Sequence, residues 1–459
     1  MQDKPTVEAK PSTVEAATST RVPAKATQAG ENPDDRERRS RWSWVEASIW
    51  TDRMLAALET GVKGNVWFSL IDKVYSPKNL WSAWTKSAKN KGAAGVDGIT
   101  IDRYEKDAEA NVAYLSEQLK AGTYQPKPIR RTHIPKPDGT QRPLGIPTVC
   151  DRIVQGAVRH VIEPIFEKEF AQHSYGFRPG RGCKDALRRV DQLLKSGYRF
   201  VVDADLKSYF DTIPHDLLMK QIQTRVADGR VLKLIESFLK ANIMEGLSQW
   251  TPMAGAPQGA VLSPLLSNIY LNPLDHLMMN KGWEMVRYAD DFVILCRTKQ
   301  DAEAALAEVK QWTAQAGLQL HPDKTQLVDA ATESFEFLGY CFDKGRKWPR
   351  HKSIMKLRES IRKRTPRNSG VSLKVTIDRI NPTLRGWFVY FKHVTKGLHT
   401  MDGWIRERLR NILRHQHKLP GRSGKMDHKR WPNRFFAGLG LYSLDEAHKL
   451  ARQSMKMAH

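Results

Sequence analysis

Arg287-Tyr288-Ala289-Asp290-Asp291 is the stretch on which the reading of this chain turns. It is flanked by Trp283-Glu284-Met285-Val286 and by Phe292-Val293-Ile294-Leu295-Cys296, so β-branched and aromatic residues rise on both sides of two adjacent carboxylates. The pattern predicts a β-hairpin with the acids at its turn. Along a strand neighbouring side chains face opposite ways, whereas at a tight turn both acids reach one cation. Two anions so close repel unless something positive lies between them, and hard oxygen ligands suit magnesium. Asp is also an ordinary turn residue, so the reading depends on carboxylates elsewhere.

Phe200-Val201-Val202-Asp203-Ala204-Asp205 supplies them. Its apolar run predicts a strand ending near Asp205, with Asp203 and Asp205 on one face and Phe200, Val202 and Ala204 packing on the other. An acid at the end of a buried strand is costly unless it meets a cation. Asp205 precedes Asp290 by 85 residues. A third carboxylate delivered by a separate strand is what a two-metal site requires.

Composition limits the partners. The 459 residues carry 74 Lys+Arg against 50 Asp+Glu, a net charge of +24. From Lys344 to His459 there are 29 Lys/Arg and 7 Asp/Glu, so nearly all the excess sits in the last quarter. Such a segment predicts a polyanionic partner. Cys150, Cys183, Cys296 and Cys341 form no C-x-x-C; neither a zinc site nor a disulfide framework is expected, and free thiols suit a reducing cytosol. Gly246 to Leu274 is uncharged and long enough to span a bilayer, but its four prolines and its amides rule out a lipid-facing helix. No membrane partner is expected.

Residues 1–40, rich in Ala, Thr, Glu, Lys and Pro, read as a disordered extension. Gly92 to Gly98 is a glycine-rich loop, read equally as a phosphate-approaching loop or a plain turn. Pro137-Asp138-Gly139 predicts a hairpin that places Lys136 and Arg142 on opposite arms. Two cations so placed could grip a triphosphate, or belong to a solvated ribbon.

Taken in order, Asp205-Leu206-Lys207-Ser208-Tyr209-Phe210-Asp211, Ala256-Pro257-Gln258-Gly259-Ala260-Val261-Leu262-Ser263-Pro264, Tyr288-Ala289-Asp290-Asp291, Gly317-Leu318-Gln319-Leu320-His321-Pro322-Asp323-Lys324-Thr325 and Phe337-Leu338-Gly339-Tyr340 resemble the ordered motifs of group II intron reverse transcriptases, also called maturases. The likeness runs from about Trp42 to the end of the chain. It implies that Asp205, Asp290 and Asp291 are the catalytic, metal-binding aspartates, holding two Mg2+, with Asp203 in support. Phe210 matches the aromatic beneath the sugar, where a ring would collide with a 2′-hydroxyl. Gln258 and Gly259 match the segment beside the incoming nucleotide and template, and Lys136 and Arg142 the basic residues on the triphosphate. Lys324 matches a palm lysine that either contacts the nucleotide or partners a carboxylate.

The basic last quarter reads as helices whose cations meet phosphates. Arg358, Arg362, Lys363 and Arg364 lie on one, and Arg406, Arg410, Arg414 and Lys418 recur every four residues as a positive stripe on another. Lys429, Arg430 and Arg434 alternate with Trp431, Phe435 and Phe436, as in nucleic-acid-binding surfaces. The resemblance makes these the thumb (346–400) and a small basic DNA-binding domain (401–459), after fingers and palm (41–345). No cysteine pair follows, so no strand-nicking activity is expected.

The expected fold is α+β: a right-hand polymerase with an antiparallel palm sheet, helical fingers, a helical thumb and the basic C-terminal domain. The expected function is RNA-directed DNA synthesis on intron RNA, with assistance to its splicing. The expected partners are group II intron RNA, target DNA, the template–primer duplex and dNTPs, in the bacterial cytosol or nucleoid; homodimerisation is left open. A related enzyme recruited to defence or repair, or an RNA chaperone with an inactive palm, are the rival readings.

Overall fold

The computed structural model describes residues 33–135, 139–368, 370–395, 397–421 and 423–457. The chain divides at Ser43 into two units. In the first, Pro33–Arg41 is a helix, with Arg38, Arg39 and Arg41 in its last turn. Cations there complement the helix dipole, so the expected disordered extension is shorter than 1–40; residues 1–32 lie outside the described residues.

In the second unit the strands run, in chain order, β1 (Ile129–Pro135), β2 (Gln141–Ile146), β3 (Phe200–Asp205), β4 (Ile243–Glu245), β5 (Ser248–Trp250), β6 (Glu284–Tyr288), β7 (Asp291–Cys296), β8 (Gln326–Asp329), β9 (Ser334–Phe337), β10 (Tyr340–Asp343) and β11 (Arg346–Pro349). β6-β7-β3-β8 form one antiparallel sheet, the palm. Val293 and Leu295 of β7 join one buried cluster with Val201 and Val286, while Phe292 and Ile294, also buried, point the other way. Both faces of this strand are covered, which is why its sequence is a continuous apolar run. The helices Cys183–Lys195 and Lys299–Gln315 pack against it.

The fingers are not wholly helical. β2-β1-β4-β5 make a second four-stranded sheet, with β1 antiparallel to β2 and parallel to β4. The predicted β1–β2 hairpin is present, pairing Ile134 with Arg142. The charge-free stretch 246–274 ends in the helix Ser263–Asn280, whose Leu266, Tyr270, Leu271 and Leu274 are buried in the protein. No described helix is long and apolar enough to cross a membrane.

Beyond the small sheet β9-β10-β11 lie the helices His351–Arg364, Leu373–Phe391 and His399–Gln416. Leu384, Phe388, Leu409, Leu413, Phe436 and Leu444 share one core with palm residues Val201 and Val293. The helix expected to open a separate C-terminal domain is thus packed into the thumb's core. The expected positive stripe does not lie on one exposed face of it. Arg410 is 1% exposed, donating to the Trp431 carbonyl oxygen at 3.1 Å and to Asn433 Oδ1 at 2.9 Å. Arg414 is clasped by Asp427 at 2.8 and 3.0 Å. Residues four apart advance by about 40° around a 3.6-residue helix, so a run of them winds off the exposed face into the core.

Candidate active site

The Asp290-Asp291 hairpin is built by register. β3 and β7 pair so that Asp205 lies opposite Asp291, and β6 and β7 pair so that Tyr288 also faces Asp291. Only Ala289 and Asp290 remain for the turn. Ala289 takes φ +60°, a conformation costly for a residue with a Cβ. The end of β3 thus lies beside the β6–β7 turn, which places Asp205 opposite Asp291 with Asp290 adjoining.

Their electrostatics follow from burial first and crowding second. Burial, then the charges of Asp203, Asp205 and Asp290, push the Asp291 carboxyl up to about 7. Burial also raises Asp290, with Asp205 adding and Arg142 and Lys324 opposing. Asp203 is pushed up to about 6, first by burial, while a hydrogen bond from Gln326 opposes. Lys324 donates to Asp205 Oδ2, so of its two expected roles the carboxylate partner is the one this structure displays. The segment carrying Lys324 is fixed to the same strand end: His321 N–H donates to the Asp205 carbonyl oxygen at 2.7 Å.

The remaining expected residues gather from separate segments. Arg142 Nε donates to Gln258 Oε1 at 2.7 Å, joining two positions read independently as nucleotide contacts. Gly145 N–H donates to the Gln258 carbonyl oxygen at 2.6 Å. At Gly259, φ is +103° and a Cβ would lie 2.5 Å from the Gly145 carbonyl oxygen, so only glycine fits. Phe210, 8% exposed, sits in the short helix Tyr209–Thr212, and its carbonyl oxygen accepts from Ala256 N–H at 2.7 Å. Lys136 lies outside the described residues. The Gly92–Gly98 loop is held by packing: Arg130 donates to the Ala94 carbonyl oxygen at 2.7 Å, and a Cβ on Gly95 would strike the Thr148 backbone at 2.7 Å.

Sequence reasoning missed the supports of the turn. Arg287 is fully buried, paired with Asp275, and its Nη1 donates to Asn268 Oδ1 at 3.0 Å and to the Ala289 carbonyl oxygen at 2.9 Å. Gly176, in the loop Tyr175 to Gly182, lies so close that a Cβ would sit 2.2 Å from Ala289 N. A charged residue inside an apolar strand was the available signal for Arg287.

Of the expected nucleic-acid contacts, Arg362, Lys363, Arg364, Lys429, Arg430 and Arg434 are exposed; Arg358 and Arg406 are half-buried.

The reverse transcriptase (RNA-dependent DNA polymerase) family matches residues 134–342, and the group II intron, maturase-specific domain matches residues 354–431. The group II intron-encoded protein LtrA of Lactococcus lactis subsp. cremoris is 39% identical over 204 residues, 44% of this chain and 34% of LtrA. Protein YkfC of Escherichia coli (strain K12) is 37% identical over 296 residues, 56% of this chain and 77% of YkfC. The chain belongs to the group II intron reverse transcriptases and maturases. Among solved structures, a partial Cas6-RT-Cas1–Cas2 complex matches with 25% identity over 54% of this chain and 42% of that one, at a TM-score of 0.35. In this group II reverse transcriptase the matched polymerase segment contains every aspartate of the hairpin and of β3. The maturase match begins within the helix His351–Arg364 and extends through the buried Arg410 to Trp431.

Proposed function

We propose that this group II reverse transcriptase extends a DNA primer on intron RNA with Asp205, Asp290 and Asp291 as its catalytic carboxylates, and that its thumb binds the intron and assists splicing. The observation carrying the site is the register that sets Asp205 opposite Asp291, with Asp290 in the adjoining turn. Among the described residues no group of three His, Cys, Asp or Glu side chains is placed, as the side chains stand, so that it could hold a metal ion. The chemistry of the donor set fits a hard divalent cation: carboxylate oxygens only, with the Asp291 carboxyl pushed up by burial and then by its acidic neighbours, and an ammonium drawn to Asp205. These three residues would hold two Mg2+, which when bound activate the primer 3′-hydroxyl and neutralise the triphosphate.

The chain's other residues position the reactants. Arg142, steered by Gln258, meets triphosphate oxygens. Phe210 closes the floor under the sugar. Gly259 lets backbone approach the nucleotide and template. No side chain need act as general base, because phosphoryl transfer is catalysed by positioning and charge. The exposed cations of the last quarter take RNA and DNA phosphates. The bacterial cytosol or nucleoid, where template, primer and nucleotides meet, is the location this reading implies.

Extension of oligo(dT) on poly(rA) tests the site. Asp290→Ala abolishes synthesis and leaves RNA affinity unchanged; retained synthesis would overturn the assignment. For the maturase role, cognate intron splices at low magnesium only when the protein is added.

A further inference from the structure

The thumb contains a cavity of about 320 Å³, lined by Trp348, Ile354, Arg358, Trp387, Leu398 and Thr400 with their neighbours. That volume is at the lower end of the range of ligand pockets, about 300–1,000 Å³. The walls are largely apolar and twice indole. A third indole, Trp404, lies under the Arg358 guanidinium at 5.4 Å from its ring centroid. Exposed Gly397 and Thr400 also line the cavity, so it is reachable from solvent.

Two of its lining side chains carry a buried polar atom with no hydrogen-bond partner among the described residues: Arg358 Nε and Trp387 Nε1. Buried polar groups are ordinarily paired, and an indole N–H in particular finds an acceptor. Both atoms are donors. The site therefore calls for a flat apolar occupant that presents acceptors at its edge. The helix that contributes Arg358 also exposes Lys352, Lys356, Arg362, Lys363 and Arg364, so the occupant belongs to a polyanion.

We propose that this cavity receives one unstacked nucleobase of bound RNA, with the indoles against its faces and Arg358 and Trp387 donating to its acceptors. Unpaired bases of RNA are held in this way, between aromatic rings or guanidinium planes and hydrogen-bonded at their edges. The proposal rests on the RNA-binding reading of the thumb. It adds a base contact where charge alone provides phosphate contacts, and it gives Arg358 a role distinct from that of the exposed cations on the same helix.

The test compares two RNA hairpins, one with a uridine loop and one with the same loop made abasic, in binding titrations with the full chain. Wild-type protein favours the uridine loop by about fivefold or more, the scale of one stacked base. Trp387→Phe keeps a ring and deletes the donor, and cuts that preference roughly two- to tenfold. Thr400→Phe fills the cavity from an exposed position, removing the preference while the abasic hairpin binds as before and the melting temperature holds. Equal affinity of wild-type protein for the two loops overturns the pocket while leaving the RNA-binding reading intact. No affinity for either hairpin overturns both. A Thr400→Phe protein that keeps its loop preference but changes its oligomeric state would show a protein-docking surface instead and overturn the proposal.

Discussion

Asp275 grips the Arg287 guanidinium through both oxygens, at 2.7 Å from Nε and 2.5 Å from Nη2, inside the protein behind the Ala289-Asp290 turn. The same guanidinium donates to the Ala289 carbonyl oxygen, so a buried ion pair holds the one residue between Tyr288 and Asp290. Removing one partner leaves an uncompensated buried charge, which costs about 3–5 kcal/mol. Asp275→Ala is expected to lose that much stability in denaturant titrations. Replacing both, Arg287→Met with Asp275→Leu, restores much of the stability because no charge remains buried. Primer extension does not recover with it, since the turn carbonyl still lacks its donor. Recovery of both together would show that the pair serves the fold alone.

Gly176 tests the same turn from the other side. A methyl group there would overlap Ala289 N at 2.2 Å, so the hairpin must move. Gly176→Ala is expected to cost about 1–3 kcal/mol in overpacking. Extension rate falls about 100-fold, because catalytic groups displaced by roughly 1 Å lose that much. Gly180→Ala is the control. Its φ is +68° with open space around it, so only the backbone cost of about 1–2 kcal/mol applies and extension persists.

The crowded aspartates oppose folding when no cation is present. Burial, and then the charges of Asp203, Asp205 and Asp290, disfavour the charged form of Asp291. Asp291→Asn removes one member of that repulsion. In metal-free buffer the variant is expected to gain roughly 0.5–2 kcal/mol of stability, as at other strained functional sites, while extension is lost. A destabilised Asp291→Asn protein in a denaturant titration would contradict this account.

His160 gives the fold a dependence on pH. It is buried in the helix Val149–Glu167, between Asn79 Oδ1 and Lys86 Nζ, each at 2.8 Å. An ammonium cannot accept, so neutral Nε2 accepts a hydrogen bond from Lys86 Nζ and Nδ1–H donates to Asn79 Oδ1. Burial, then the Lys86 charge, pushes the imidazole down to about 4, with Glu46 opposing. The unfolded chain, with an ordinary value near 6.5, binds the proton first. Stability is therefore lost as pH falls from about 6.5 to about 4, on the order of 3 kcal/mol in all. His160→Gln is expected to flatten that slope in melts run across the interval.

How much of this was legible follows from where each signal lies. Asp205 and Asp290-Asp291 each end an apolar strand pattern, so the strands and their acids could be read locally. The pairing of Arg287 with Asp275 could not, because it joins a strand to a helix face and only packing supplies it. The fingers sheet escaped for a related reason. β4 and β5 are three residues each, too short for a pattern, and β1 meets β4 across more than a hundred residues. The Phe210 and Gln258 segments were recognisable by motif, whereas the hydrogen bond from Arg142 to Gln258 required the folded chain.

Charge counting along the last quarter failed where the helix turns its cations inward, and that failure separates two kinds of arginine. Arg410 is buried among Leu409, Leu413 and Phe436, its guanidinium 5.3 Å from the Phe436 ring centroid and hydrogen-bonded to Trp431 and Asn433. Arg434, one residue past Asn433, is exposed. Arg410→Ala is expected to lower the melting temperature by several degrees through lost packing and stranded acceptors, without altering how RNA affinity depends on salt. Arg434→Ala leaves melting unchanged and reduces the slope of log affinity against log salt by about 1, the signature of one lost phosphate contact. Titrations of RNA at several salt concentrations, beside melts of both variants, check the pair. An Arg410→Ala protein that melts normally but loses salt dependence would return that residue to the nucleic-acid surface.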